Sequence, residues 1–214
     1  MPAVDRGVAL ALDDYPFILN DQELMHLQLI GKGLGSNVYA FDNQWVIKIA
    51  ADRHPDVISP NYSSRQMESY IFLRDHLGIN FIVPSIIFSC PIWGRQRGCE
   101  VQPYIHGRQL KSISNAEIKS NPLLQKKLLQ IVTLIISTYH STGRIPDLWD
   151  VGFQKSARYT KNIIVGQDLN PWIVDIGAWP EGFSTHSGIR ASIHVQKIIS
   201  DLCKLEHWLE KLQH

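Results

Sequence analysis

Short runs of alternating apolar and polar residues occupy the first half of the chain, which is the pattern of half-buried β-strands. Asn37–Phe41 and Trp45–Ile49 flank the turn-favouring pair Asp42-Asn43, so these two runs predict a hairpin. Two further runs, rich in Ile, Val and aromatic residues, predict strands at Phe81–Phe88 and Gly98–Ile105. The first half of the chain is therefore expected to form a small antiparallel sheet.

Helical spacing of apolar residues predicts three helices. The first runs from Ser63 or Ser64, either of which can cap it, to about Leu77. The second begins after Pro122, a favourable first helical residue, and the third begins near Arg190. Their predicted apolar faces are Leu124, Leu128, Ile131, Ile135 and Thr138 in the second helix, and Val195, Ile199, Leu202, Leu205, Leu209 and Leu212 in the third.

A second hairpin is predicted between the last two helices. Asn162–Val165 and Trp172–Asp175 are apolar runs on either side of the turn-rich segment Gly166–Pro171. The order of elements is strands, helix, strands, then helix, hairpin and helix. This order predicts an α+β fold with a sheet-rich first lobe and a mostly helical second lobe.

Composition is typical of a folded globular protein and narrows the partners. Hydrophobic residues make up 44% and charged residues 19%, and the formal net charge of +1 gives no electrostatic reason to expect nucleic acid as a partner. Cys90, Cys99 and Cys203 are odd in number and lack metal-ligand spacing, which favours a reducing compartment. No stretch approaches the length of a membrane span. We expect a cytoplasmic protein with no membrane span.

The first candidate motif is the Gly-rich segment Ile30–Val38. Glycines there would let backbone amides approach phosphate oxygens. It does not continue into a helix, which disfavours the dinucleotide fingerprint, and it lacks the Gly-Lys-Ser/Thr ending of a Walker A loop. A Gly-rich turn between strands occurs in many folds, so the segment is weak evidence by itself.

Lys48 is the second candidate, because it alternates with apolar residues in Val46–Ile49, one strand after the Gly-rich turn. A lone Lys in such a strand is usually a solvated charge. A kinase needs an ammonium group there for the nucleotide phosphates and a carboxylate on the next helix to hold it. Glu68 is the carboxylate in the middle of that predicted helix.

Asn162 and Asp175 lie at opposite ends of the second predicted hairpin, where their oxygens can converge on one Mg²⁺. Either residue alone can be a simple cap or turn former.

Asp147 follows the apolar helix and can accept or orient a substrate hydroxyl proton, whereas the plainer reading of Pro146-Asp147 is a turn. Asp150 is a rival for the role of the base.

Taken in order, these motifs resemble the protein kinase superfamily: Gly-rich loop, strand Lys, helix Glu, apolar linker, buried helix, Asp, Asn and Asp-x-Gly. The resemblance covers roughly Leu27 to Gly177 and is closest to small atypical bacterial kinase-like and aminoglycoside-phosphotransferase-like members. It implies a kinase-like fold that binds ATP with Mg²⁺ between two lobes. The implied divisions are a lead-in over residues 1–26, a first lobe over 27–103 and a second lobe over 104–214.

The resemblance also implies a role for each matching residue. The loop side of the nucleotide would be lined by Gly31, Gly33, Val38 and Ser36, which replaces the third loop glycine. Lys48 would hold phosphates and pair with Glu68. Gln102 would lie at the back of the adenine pocket, with the Pro103 carbonyl and the Ile105 amide on the adenine edge. Asp147 would be the catalytic base, and Asn162 and Asp175 the Mg²⁺ ligands.

The chain also departs from the family pattern. Ile145-Pro146 replaces the His-Arg before the catalytic Asp, and the segment from Asp147 to Asn162 is long and carries Lys155, Arg158 and Lys161. The 37 residues after Gly177 leave no room for the usual peptide-substrate platform. The acceptor hydroxyl therefore stays open between a small molecule and a protein. A pseudokinase scaffold, or an enzyme that transfers AMP, remains an alternative.

Overall fold

The computed structural model describes residues 25–32, 36–41, 43–51, 62–148, 162–180 and 188–213 of the 214-residue chain. These residues form an α+β protein with a five-stranded antiparallel sheet and several helices, which confirms the predicted class. The chain divides into two compact units. The first unit is Met1–Glu68 with Val83–Tyr104, and the second is Ser69–Ile82 with Ile105–His214.

The first unit is built on the five-stranded sheet. Its strands are β1 (Gln28–Lys32), β2 (Ser36–Phe41), β3 (Trp45–Ala50), β4 (Ile86–Ile92) and β5 (Arg95–Pro103). They lie in the order β1-β2-β3-β5-β4, and every neighbouring pair is antiparallel. The β2–β3 hairpin confirms the prediction from the sequence, and Asn43 in its turn has a positive φ of 54°.

One face of this sheet forms the hydrophobic core of the first unit. Because side chains alternate along a strand, every second residue of the central strands points to this face. Its fully buried members are Ile47, Ile49, Ile92, Cys99 and Val101. Partly buried aromatic residues of the same strands pack around them. Residues at the intervening positions of β2, β3 and β5 therefore lie on the opposite face.

The strand predicted over Phe81–Phe88 was wrong in its bounds, because β4 begins at Ile86 and continues to Ile92. Pro84 has no N–H for a strand ladder and interrupts the apolar run. Residue Ile82 instead makes an isolated parallel bridge with Ile173 of the second unit, to which it belongs. Pro91 made the end of the strand hard to predict, because proline is rare inside strands. It is tolerated here because β4 is at the edge of the sheet.

The strand predicted over Gly98–Ile105 also shifts, since β5 begins at Arg95 and ends at Pro103. The two-residue turn between β4 and β5 is formed by Trp93 and Gly94, both with positive φ (51° and 70°). A Trp at a position of positive φ is uncommon, so sequence pattern alone did not indicate this turn.

Helix α1 (Tyr62–Leu77) agrees with the first predicted helix, but Ser63 and Ser64, the predicted caps, lie inside it. It ends where the N–H of Gly78 donates to the carbonyl of Arg74 at 2.9 Å. The boundary between the two units falls inside this helix, after Glu68. Residues 69–82 thus belong to the second unit, whereas the sequence assigned them to the first lobe.

The second unit contains the helices α2 (Asn115–Lys119), α3 (Pro122–Thr142) and α4 (Gly188–Lys211). Helix α3 begins with a Pro after the capping residue Asn121, whose side chain accepts a hydrogen bond from the N–H of Leu124, and it ends at Gly143. All five residues predicted for its apolar face are buried, which confirms the predicted helix. The packed α3–α4 pair is joined by a 2.6 Å hydrogen bond from Thr133 to Glu206.

Two small antiparallel sheets complete the second unit. One has the order β6-β8-β9, with β6 (Gly107–Gln109), β8 (Ile163–Gly166) and β9 (Pro171–Ile173), and the other pairs β7 (Arg144–Pro146) with β10 (Ala178–Pro180). The β8–β9 hairpin confirms the second predicted hairpin. A Cβ on Gly107 would lie 2.1 Å from the carbonyl oxygen of Val165, so only glycine allows β6 to approach β8.

Cys90 and Cys99 lie on the neighbouring strands β4 and β5 with their sulfur atoms 3.5 Å apart. The hydrogen bond with Cys90, together with burial, raises the pKa of the Cys99 thiol. This thiol therefore stays protonated at neutral pH.

Within the described ranges, no helix has both the length and the apolar character needed to cross a membrane.

Candidate functional site

Three of the predicted nucleotide-binding residues of the first unit, Gly31, Val38 and Lys48, lie in one row across its sheet. The strand register pairs Gly31 with Val38, Val38 with Lys48, and Lys48 with Glu100. Directly paired residues share a face, and so do residues two apart on one strand. The row therefore lies on the face opposite the apolar core, and Ser36 and Gln102 lie on that face as well.

Lys48 forms an ion pair with Glu100 on the neighbouring strand. The Lys48 Nζ atom lies 3.2 Å from one carboxylate oxygen of Glu100 and 3.3 Å from the other. The exposed fractions of the two side chains are 14% and 13%. A pair shielded from water to this degree interacts more strongly than a surface pair, and it is costly to break from one side.

Two neutral side chains hold the carboxylate of Glu100 in place. Ser85 Oγ lies 3.0 Å from a Glu100 carboxylate oxygen and 3.1 Å from the carbonyl of Val83, so its single hydrogen is shared between two acceptors. The Gln102 amide nitrogen donates to Glu100 and, at 3.2 Å, to Ser85 Oγ. We call Lys48, Glu100, Ser85 and Gln102 the lysine network. All four belong to the first unit.

The carboxylate that pairs with Lys48 in the structure, that of Glu100, is thus different from the predicted carboxylate of Glu68. Glu68 is exposed on α1. The sequence does contain a signal for Glu100, because this residue stands between the apolar residues Cys99 and Val101 just as Lys48 stands between Ile47 and Ile49. Two opposite charges, each alternating with buried apolar residues, are expected to meet across neighbouring strands.

In the second unit, the β8–β9 hairpin brings Asn162 and Asp175 together. Ile163 pairs with Ile173, and just outside this pair the N–H of Val174 donates to the carbonyl of Asn162 at 2.9 Å. The Asn162 amide nitrogen then lies 3.4 Å from a carboxylate oxygen of Asp175. The two side chains therefore meet at the open end of the hairpin, and the convergence of their oxygens on one Mg²⁺ stays a prediction.

Asp147 joins this pair from the end of β7. The Asn162 amide nitrogen donates to the carbonyl of Asp147 at 2.8 Å, and the N–H of Asp147 donates to the carbonyl of Gly177 at 2.7 Å. We call Asp147, Asn162 and Asp175 the Asp–Asn–Asp cluster. Asn162 is buried, while the two aspartates are partly exposed.

Gly177 adjoins both carboxylates of the cluster. A Cβ at this position would lie 3.2 Å from Asp147 Cβ, 3.7 Å from Asp147 Oδ2 and 3.7 Å from Asp175 Oδ1. The N–H of Gly177 donates to Asp175 Oδ1 at 3.3 Å, which orients that carboxylate. Glycine thus leaves room for both carboxylates to approach the same point.

The Asp–Asn–Asp cluster contains two negative charges, and all of its possible metal ligands are oxygen atoms. It supplies two carboxylates and one amide oxygen, all hard oxygen donors. In the described part of the chain, no group of three or more His, Cys, Asp or Glu side chains is arranged to hold a metal ion. Mg²⁺ is usually held by one or two carboxylates together with substrate phosphates, so two carboxylates and an amide suffice for it.

Several predicted site residues belong neither to the lysine network nor to the Asp–Asn–Asp cluster. Pro103 ends β5 and Ile105 lies partly buried just before β6, on opposite sides of the division between the units. Gly33 and Asp150 lie outside the described residues, as do the basic residues Lys155, Arg158 and Lys161. The choice between Asp147 and Asp150 as the base therefore stays a prediction.

The second unit also contains a cavity of about 360 Å³ that, among the described residues, does not include the Asp–Asn–Asp cluster. Leu124 and Val165 contribute its apolar lining, and Arg108 and Glu117 line it as an exposed ion pair. The hydrogen bond from Arg108, with that from the backbone N–H of Ser114, lowers the pKa of Glu117 to about 2. Glu117 also forms a capping box with Ser114, and this capping box stabilises the start of α2.

No model of a known protein family matches the chain, and a search of curated proteins finds no matching sequence. A functional conclusion must therefore come from the two groups of side chains described above.

Proposed function

We propose that this chain is an ATP- and Mg²⁺-dependent phosphotransferase that transfers the γ-phosphate of ATP to a hydroxyl group of a protein or a small molecule. The observation that carries the proposal is the convergence of Asp147, Asn162 and Asp175. Separate parts of the chain supply these residues, and the side-chain amide of Asn162 joins the other two through the Asp147 carbonyl and the Asp175 carboxylate.

The donor atoms of the Asp–Asn–Asp cluster fit Mg²⁺. A backbone carbonyl can only accept a hydrogen bond, so the Asn162 atom that faces the Asp147 carbonyl must be the amide nitrogen. The remaining polar atom of the Asn162 side chain is its amide oxygen, and this oxygen is suited to a hard cation. Asn162 through this oxygen and Asp175 through its carboxylate would hold the ion. Bound Mg²⁺ would neutralise charge on the nucleotide phosphates.

Asp147 would orient the acceptor hydroxyl and take its proton. Its support is positional: the Asp147 carbonyl accepts from the Asn162 side chain and its N–H donates to the Gly177 carbonyl, which fixes Asp147 next to the residues assigned to the metal. A base held in that position contributes by orientation as well as by proton transfer.

The first unit would contribute the phosphate-binding ammonium of Lys48. Its support is the row that joins Gly31, Val38 and Lys48 on the face of the sheet away from the core. Gln102 on the same face, and Pro103 and Ile105 where the chain leaves β5, would face the adenine. We propose that the enzyme is cytoplasmic.

The test is thermal unfolding with ATP, with and without Mg²⁺, in the wild-type protein and in two matched variants. Asp175→Asn and Asp168→Asn each remove one negative charge from the β8–β9 hairpin, but Asp168 lies in its turn, where it accepts a hydrogen bond from the N–H of Asn170. At about 100 times its Kd, a ligand stabilises the native state by about 2.7 kcal/mol. This corresponds to about 5–10 °C for a chain of this size.

We expect the Mg²⁺-dependent shift in the wild type and in Asp168→Asn, and its loss in Asp175→Asn. A wild-type protein without any shift, or an Asp175→Asn variant that keeps it, contradicts the proposed site. Assays with candidate acceptors then establish the reaction: the mass added to the product separates phosphoryl from AMP transfer. Nucleotide binding without any turnover would identify a pseudokinase.

A further inference from the structure

The lysine network departs from the arrangement expected for Lys48 and so carries a further inference. The expected partner was a carboxylate on the helix, Glu68, which is exposed on α1. The described partner, Glu100, is opposite Lys48 in the register of β3 and β5. It approaches the ammonium group with both carboxylate oxygens, at 3.2 and 3.3 Å.

We propose that Glu100, and not Glu68, is the positioning residue that holds Lys48 for the nucleotide phosphates. Glu100 itself would be fixed by Ser85 and Gln102. The inference rests on the proposed function, because it assigns the group that prepares Lys48 for that reaction. Glu100 would act through Lys48 without touching the substrate.

The first reason is the element that carries each carboxylate. Lys48 and Glu100 belong to hydrogen-bonded neighbouring strands, so the backbone ladder fixes the spacing of their Cα atoms. A group placed by a strand ladder is already oriented before the substrate binds, which lowers the reorganisation needed during the reaction. A carboxylate on α1 would depend instead on where that helix docks.

The second reason is that the carboxylate of Glu100 is itself supported. Gln102, whose exposed fraction is 2%, donates to Glu100 and to Ser85, and Ser85 is also buried. Buried polar networks of this kind fix a single side-chain orientation when their members are satisfied. Ser85 and Gln102 thus link the position of Lys48 to the back of the predicted adenine pocket, where Gln102 was expected.

The decisive comparison is between two isosteric variants, Glu100→Gln and Glu68→Gln, with Asp75→Asn as a control on the exposed surface of α1. The readouts are kcat and KM for ATP at saturating Mg²⁺, together with the melting temperature without nucleotide. We expect Glu100→Gln to lower kcat/KM at least tenfold, with most of the loss in kcat, while Glu68→Gln and Asp75→Asn stay within twofold of wild type.

Two further variants keep the test informative if Glu100→Gln does not fold. Glu100→Asp retains the charge and should recover part of the lost kcat, which a purely structural role would not require. Ser85→Ala removes one support of Glu100 and should lower kcat two- to fivefold. The opposite pattern, in which Glu68→Gln loses kcat and the variants of Glu100 and Ser85 keep it, overturns the inference.

The failure of this inference is distinguishable from failure of the proposed function. If wild-type protein turns over ATP with Mg²⁺ but depends on Glu68, only the assignment of Glu100 fails. If the wild type shows neither Mg²⁺-dependent ATP binding nor turnover, the proposed function fails and the inference falls with it.

Discussion

The two units gather charged side chains in opposite ways. In the first unit, the ammonium of Lys48 meets the carboxylate of Glu100, and neutral donors support that carboxylate. In the second unit, two carboxylates approach one point beside Gly177, and the amide of Asn162 donates to the Asp147 carbonyl and the Asp175 carboxylate. The first arrangement balances its own charge, whereas the second accumulates negative charge that a bound cation would offset. The lysine network thus holds its ammonium group without an added ion, whereas a bound cation would stabilise the Asp–Asn–Asp cluster.

The largest expected effect separates chemistry from binding inside the Asp–Asn–Asp cluster. Asp147→Asn removes the proposed base but keeps a side chain of the same shape. We expect kcat to fall by about 10²–10⁴-fold, the usual contribution of a general base. Mg²⁺-dependent ATP binding should persist, in contrast to Asp175→Asn. Single-turnover kinetics and the thermal shift measure the two quantities. Full activity in Asp147→Asn would transfer the role to another group, with Asp150 as the first candidate.

The next prediction compares the stability cost of losing one carboxylate from each unit. Glu100→Ala leaves the shielded ammonium of Lys48 without this partner and should cost about 3 kcal/mol of unfolding free energy. The double variant Lys48→Met, Glu100→Met should unfold within about 1 kcal/mol of wild type, because both charges of the pair are removed together.

The matched change in the second unit is Asp175→Asn in metal-free protein. It removes a charge from beside another carboxylate, so we expect its stability to change by less than about 1 kcal/mol. Urea unfolding at neutral pH provides all of these values. Equal losses for Glu100→Ala and Asp175→Asn would contradict the difference drawn between the two units.

A smaller effect is expected at Gly177. In Gly177→Ala the new Cβ would lie 3.2 Å from Asp147 Cβ, so a neighbour must move by a few tenths of an ångström. We expect a stability loss of about 1 kcal/mol, at the low end for overpacking. Because both carboxylates adjoin this point, the Mg²⁺-dependent thermal shift should shrink. Unchanged metal dependence would show that the two carboxylates need not approach each other.

The smallest effect concerns the exposed pair of Arg108 and Glu117, a useful contrast to the shielded pair of Lys48 and Glu100. The folded-state pKa of Glu117, about 2, lies below the ordinary value of 4.5. The pair therefore stabilises the fold above pH 4.5, and this contribution is lost as the pH falls from 4.5 through about 2. Arg108→Gln should raise the pKa of Glu117 towards 4.5 in an NMR titration. Because the pair is exposed and screened by solvent, the loss of stability at pH 7 should be the smallest of the losses predicted here.

Sequence pattern was most successful where one local signal decides the structure. Hydrophobic spacing predicted α3 and α4, and turn-rich segments predicted the hairpins β2–β3 and β8–β9. It failed at β4, where two prolines masked the strand bounds, and at the turn of Trp93 and Gly94, where a Trp adopts a positive φ. The pairing of β7 with β10 depends on long-range contacts and left no local pattern.

In the candidate site, too, residues joined by a local element were predictable and residues joined by long-range strand pairing were not. Asn162 and Asp175 were predictable together because one hairpin joins them, and the spacing of the hairpin is visible in the sequence. Glu100 was missed because its relation to Lys48 depends on the strand order β3-β5, which brings together residues 52 positions apart. An alternating strand pattern shows that a charge lies among apolar residues, but it does not show which strand lies beside it.

The most direct test of the account is metal binding to the Asp–Asn–Asp cluster. Mn²⁺ can replace Mg²⁺ at oxygen sites and reports its bound fraction by electron paramagnetic resonance. With a non-hydrolysable ATP analogue, the wild type and Asp168→Asn should each bind Mn²⁺, and Asp175→Asn should lose that binding. Equal Mn²⁺ binding by wild type and Asp175→Asn, or none by the wild type, would contradict the central claim that this cluster holds the metal of a metal–nucleotide complex.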